Sequence, residues 1–125
     1  MVKDKEFDYF ANVEKLAKKY KFDLDTIDGM PVYKNEKEFT KAVREYAVIK
    51  GWLYYHTYDS RRSDRGFPDC VFVRDGRIVF AELKMPKGKL TDYQKDWLRQ
   101  LLQADGVEAY LWFPKDWDEI EEVLE

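Results

Sequence analysis

Asp75-Gly76 lies between two apolar runs, Val71-Phe72-Val73 and Ile78-Val79-Phe80. An Asp-Gly pair flanked by strand-formers is the strongest short-range signal for a two-residue β-hairpin turn. Taking these as the loop residues fixes a register in which Arg74 faces Arg77, Val73 faces Ile78 and Phe72 faces Val79. Continued down the ladder, Asp69 faces Glu82. Directly opposed side chains have Cβ atoms roughly 4.5–5.5 Å apart, and like charges there are destabilising. Strand alternation then puts Lys84 on the face of Glu82. Two carboxylates and an amine are thus aimed at one point. A bound divalent cation is the simplest reason to tolerate this, because hard cations take carboxylate oxygens.

The rest of the chain bounds what such a hairpin can belong to. At 125 residues, 45% hydrophobic and 17% aromatic, it is one folded domain with a real core. Cys70 is the only cysteine, so an intramolecular disulfide and a cysteine-based zinc site are excluded, which suits a reducing, cytoplasmic setting. No apolar stretch approaches the ~20 residues of a membrane span, and the N-terminus lacks a signal-peptide core. Net charge is −3, but its distribution is uneven. Lys41 to Arg99 holds thirteen Lys or Arg against eight Asp or Glu, whereas Leu101 to Glu125 holds one against eight. The basic middle suits a polyanionic partner, and the acids of the tail read as ordinary solvated charge.

Periodicity places the elements. Phe7, Phe10, Val13, Leu16 and Ala17 have helical spacing, in a helical extension over residues 1–34. Asn35-x-x-Glu38 is a capping-box pattern that opens a helix with Phe39, Ala42, Val43, Tyr46 and Ala47 on one face, ended by Gly51. Trp52 to Tyr58 reads as a strand, Asp59 to Phe67 as a polar, flexible loop, and the hairpin follows. Thr91-x-x-Gln94 is a second capping box opening a helix through Trp97, Leu98, Leu101 and Leu102. Val107 to Phe113 reads as a fourth strand and Asp116 to Leu124 as a short acidic helix. The order α-α-β-β-β-α-β-α predicts an α/β fold, a mixed sheet flanked by helices.

Pro68-Asp69 followed by Glu82-Leu83-Lys84 resembles the motif of the PD-(D/E)xK nuclease superfamily. With Ser60 to Asp69 before it, and Gly88-Lys89-Leu90-Thr91, Gln94 and Trp97 after it, the chain from Asn35 onward resembles stand-alone VRR-NUC domains, many of them from phages and prophages. That resemblance implies a restriction-endonuclease-like fold over residues 35–125 and a DNA endonuclease that uses one or two Mg²⁺ or Mn²⁺ ions. It implies that Asp69, Glu82 and the Leu83 carbonyl ligate the metal, that Lys84 orients water or steadies the transition state, and that Gln94 belongs to the site. Branched, flapped or junction DNA is the implied substrate, and a homodimer could grip two strands.

The superfamily also expects an acid from the first core helix. Glu36 lies on the core-facing stripe, three and seven residues before Phe39 and Val43, while Glu38 sits where a capping box uses its side chain. Glu36 is therefore preferred, although an acid in a first helical turn is also favourable to the helix dipole. Gln94 is equally the capping partner of Thr91. Arg61, Arg62 and Arg65 would contact phosphates or simply be solvated, and Lys87 and Lys89 offer another phosphate path. His56, the single histidine, is a weak candidate for metal or acid chemistry, and Tyr93 and Trp97 read as packing. A silent DNA-binding module or a protein-interaction domain on the same fold remains the alternative.

Overall fold

A computed structural model describes residues 33–57 and 62–125. The sequence-predicted helix near Lys5 to Tyr20, and residues 1–32 of the extension, lie outside the described residues. The described elements are α1 (Glu36–Ile49), β1 (Leu53–His56), β2 (Cys70–Arg74), β3 (Arg77–Leu83), α2 (Asp92–Gln103), β4 (Val107–Trp112) and α3 (Trp117–Leu124), the last entered through a 3₁₀ turn, Pro114–Asp116. No described helix is long and apolar enough to cross a membrane.

The sheet runs β1-β2-β3-β4, antiparallel except for the parallel β3–β4 pair. Asp75 and Gly76 sit at φ 49° and 80°. Two successive positive φ values are what a type I′ turn demands, and its twist matches that of the flanking strands. The ladder pairs Arg74 with Arg77 through Cys70 with Ala81, as the turn predicts. The return from β3 to a parallel neighbour requires a crossover, and α2 supplies it.

Alternation along the strands divides the core in two. Val79, Ala81, Leu83, Phe72 and Trp112 bury against Phe39, Val43 and Ala47 of α1 and Ile120 and Leu124 of α3. On the opposite face Ala109, Leu111 and Phe113 bury against Leu98 and Leu102 of α2, with Leu90 and Phe80. The two layers of helix on one sheet form a restriction-endonuclease-like α/β architecture.

The hairpin tip faces an arginine against an arginine. The chain meets this with Trp52, 3% exposed, whose ring centroid lies 4.4 Å from the Arg74 guanidinium and 5.1 Å from that of Arg77. Arg77 makes a bidentate pair with Glu108 at 2.7 Å and donates to the Val123 carbonyl at 3.0 Å. Arg74 donates to the main-chain oxygens of Lys50 and Glu125, and the Trp52 indole N–H donates to the Leu124 carbonyl at 2.9 Å. Last-turn carbonyls of a helix lack intrahelical donors, so the bonds to Val123, Leu124 and Glu125 cap α3 and the bond to Lys50 caps α1. Two acids of the C-terminal segment therefore depart from the solvated reading. Glu108 is ion-paired, its carboxyl held below the usual range by the Arg77 hydrogen bonds, and Asp116 is buried, its Oδ2 accepting from the Phe113 N–H at 2.9 Å.

Trp52→Ala removes the ring that both guanidiniums share and leaves the Leu124 carbonyl without its donor. The expected loss is about 3–5 kcal/mol, read as a lower urea midpoint with little change in slope.

Candidate active site

Asp69 sits at the foot of β2, one residue before the ladder. Its carbonyl accepts from the Thr57 N–H at 3.2 Å and its Oδ2 from the Leu83 N–H at 2.9 Å. The second bond ties the Asp69 side chain to β3 beside Glu82. Parity puts Glu82 on the Phe80 side of the sheet, facing α2. There its carboxyl is 1% exposed. Gln94, in the first turn of α2, donates from Nε2 to Glu82 Oε1 at 3.2 Å, while Glu82 Oε2 meets no donor among the described residues and has the Asp69 carboxyl as its neighbour.

The same Gln94 also closes the capping box: its Oε1 accepts from the Thr91 N–H at 2.9 Å and its own N–H donates to Thr91 Oγ1 at 3.2 Å. The two ends of one amide thus do both jobs at once, and the helix cap fixes the orientation of the buried carboxylate.

These groups open into one cavity of about 370 Å³ that Glu36, Asp69, Glu82, Lys84 and Gln94 line together. Glu38 does not line it and is exposed. Only the Asn35 half of the expected capping box forms, Glu38 N–H donating to Asn35 Oδ1 at 2.9 Å. The helix phase that sets Glu36 three residues before buried Phe39 brings it to the cleft.

The electrostatics are those of crowded acids. Burial, then the adjoining Asp69, pushes the Glu82 carboxyl up to about 10, against a lowering by Lys84. Glu36 is raised by burial and by Asp69, again opposed by Lys84. Next to them the Cys70 thiol is fully buried, with Sγ 3.5 Å from the Tyr54 hydroxyl. Burial raises it far above the usual thiol range, so it stays protonated and is no nucleophile.

The described part of the arginine loop, residues 62–67, packs against α2. Ser63, Asp64, Gly66 and Phe67 form part of the cavity wall. Phe67 packs edge-on to Trp97 and Phe80, the Trp97 N–H donates to the Arg65 carbonyl at 3.2 Å, and the Arg65 guanidinium lies 5.5 Å from the Tyr93 ring centroid. Gly66, at φ 89°, lies so near Tyr93 that a Cβ would stand 2.5 Å from its carbonyl carbon and oxygen. Tyr93 and Trp97 therefore seat this loop, a role invisible in their helical spacing. Arg62 and Arg65 are exposed outside the cavity, as are Lys87 and Lys89 in the turn after β3. Arg61 lies outside the described residues.

Carboxylate oxygens are the right donors for a hard divalent cation, and the orphaned Glu82 Oε2 is an acceptor that such an ion would satisfy. Among the described residues no three His, Cys, Asp or Glu side chains close into a metal cluster. The pair Asp69 and Glu82, with Glu36 across the cavity, is the set that could hold one.

The mixed α/β sheet thus carries two acids and a lysine together at the foot of its central hairpin. The chain belongs to the VRR-NUC domain family, whose model matches residues 13–112. It is thus a PD-(D/E)xK nuclease-family domain with a nuclease-type, DNA-acting function. The match begins inside the segment read from sequence as an extension and ends at Trp112, before α3. No curated protein and no solved structure matches the chain significantly.

Because the folded carboxyl of Glu82 titrates above its unfolded value, its contribution to stability is complete below the unfolded pKa and is lost as pH rises toward about 10. Metal-free protein should therefore lose stability between about pH 6 and pH 9, and Glu82→Gln should flatten that fall. Urea midpoints across the series, with chelator present, measure both.

Proposed function

We propose that this domain is a Mg²⁺- or Mn²⁺-dependent deoxyribonuclease acting in the cytoplasm, a phosphodiester hydrolase selective for branched, flapped or junction DNA. The observation that carries the metal dependence is the buried Glu82 carboxyl, held at Oε1 by Gln94 and, among the described residues, without a donor at Oε2, in the cavity shared with Asp69, Glu36 and Lys84. An unpaired buried charge is costly without a cation or a proton. The branched-DNA preference rests on the resemblance to VRR-NUC domains, and the proposal needs no second copy, since every group invoked belongs to one chain. The division into an extension over 1–34 and a nuclease domain over 35–125 is kept as part of the same reading.

Asp69 and Glu82, with the Leu83 carbonyl, would hold the ion, and Glu36 would assist through water or a second ion. When bound, such an ion polarises the phosphodiester and offsets the charge that builds during hydrolysis. Lys84 enters the cavity on the same face as Glu82 and presents a fixed positive charge to the attacking water or to a phosphate oxygen. Gln94 is a positioning residue: it holds one carboxylate oxygen so that the other is presented to the cavity. Arg61, Arg62 and Arg65, with Lys87 and Lys89, would contact phosphates beyond the cleft.

Cleavage of a panel of duplex, flap, single-stranded and four-way junction DNA, with Mg²⁺, with Mn²⁺ and with chelator, tests the reading. Asp69→Asn, Glu82→Gln and Lys84→Ala should each abolish cleavage while the melting transition is kept, and full activity in Asp69→Asn would sink the assignment. Glu36→Gln should lower cleavage strongly. Glu38→Gln should leave it near the parent rate and, because its exposed side chain makes no capping bond, change stability by no more than about 0.5 kcal/mol.

A further inference from the structure

A second cavity, of about 580 Å³, runs along the outer flank of α1 and meets the cleft at Glu36 and His56, which line both. Lys37, Lys41 and Arg44 line it. Their i, i+4, i+7 spacing places them on one stripe of the helix. Glu36 is the only carboxylate among its described lining residues. Lys41 has Glu45 at 3.9 Å, but both side chains are largely exposed and such pairs are weak. Tyr54 and His56 alternate onto the same face of β1 and form the aromatic part of the wall. Their rings are 9° from parallel with centroids 6.4 Å apart, and His56 is exposed. The Arg44 guanidinium stands 5.8 Å from the Tyr54 ring centroid.

A cationic stripe beside stacked ring faces has the chemistry of a single-strand track. Cations take phosphates of either a duplex or a single strand. Ring faces discriminate between them, because a duplex keeps its base faces stacked inside while an unpaired strand can lay a base on an aromatic ring. We propose that this groove is the subsite for an unpaired DNA segment leaving the scissile phosphate, with Lys37, Lys41 and Arg44 on its phosphates and the Tyr54–His56 pair under a base. This rests on the DNA-cleaving reading and refines it: the preferred substrate has a single-stranded arm next to the bond that is cut.

The test uses the full chain with Asp69→Asn to prevent cleavage, and measures binding across a salt series to a blunt duplex and to the same duplex carrying a single-stranded tail. Replacing Lys37, Lys41 and Arg44 by Gln should weaken binding of the tailed duplex more than of the blunt one. It should also reduce the slope of log affinity against log salt by about 2, at roughly 0.7 per phosphate of a single strand. His56→Ala should cost roughly tenfold in affinity for the tailed duplex while leaving the slope and blunt-duplex binding intact. Arg44→Lys should keep the slope. If the triple variant melts early, the double variant of exposed Lys37 and Lys41 carries the same expectation with a slope change of about 1. A parent that binds tailed DNA while the triple variant and His56→Ala bind it equally well overturns the subsite alone. Equal weakening of tailed and blunt DNA overturns the single-strand assignment. A parent that binds neither DNA overturns the nuclease reading together with the inference.

Discussion

A turn with both central residues at positive φ holds β2 against β3 in one register, and the cleft depends on that parity. Side chains alternate with a period of two, so a slip of one residue would carry Glu82 into the packed layer beneath α1 and α3 and put Ala81 or Leu83 in its place. The apolar alternation resists such a slip on both faces at once. Phe72, Val79 and Ala81 belong to one core layer and Phe80 to the other, so the slipped sheet would expose one set and bury charge in the other. The acids are therefore held together by hydrophobic packing on strands whose own electrostatics oppose the arrangement.

The same division of labour recurs on α2. Thr91 and Gln94 satisfy the helix start, Leu98 and Leu102 anchor it to β4, and Tyr93 and Trp97 dock the loop before Asp69. One short helix consequently fixes the angle of a buried carboxylate and the wall opposite it. Rigidity in the cleft comes from elements whose first obligation is to fold, which is how a preorganised site is maintained at little extra cost.

Much of this was legible because it follows from local rules. The Asp-Gly turn set the ladder, the ladder set Asp69 against Glu82, and the spacing of Phe39 and Val43 set Glu36 toward the sheet. What escaped a reading of the residues was long-range. Glu38 leaves one half of its capping box unmade, although the spacing from Asn35 fits one. The seating of Gly66 on Tyr93 joins residues whose contact exists only once the sheet and α2 are assembled. Glu108 reads as a member of an acidic tail because its partner Arg77 lies 31 residues away, and Asp116 because the turn whose Phe113 N–H it accepts from has no signal in its apolar spacing. The basic stripe on α1 was hidden among alternating charges, and only the neighbouring Tyr54 and His56 rings set it apart.

The ties between the hairpin tip and the last turn of α3 have a consequence for the order in which the chain can become itself. Arg74 and Arg77 are placed face to face as soon as the turn closes, an event local in sequence and fast. Three of their acceptors, the carboxylate of Glu108 and the main-chain oxygens of Val123 and Glu125, come much later. A hairpin formed before those segments dock has two facing guanidiniums whose early partners are the Trp52 ring and the Lys50 carbonyl. The docking of β4 and α3, which brings Glu108, Val123 and Glu125 to the tip, turns that repulsion into attachment. Native packing of the hairpin tip is thereby coupled to the docking of segments that lie 31 or more residues further along the chain.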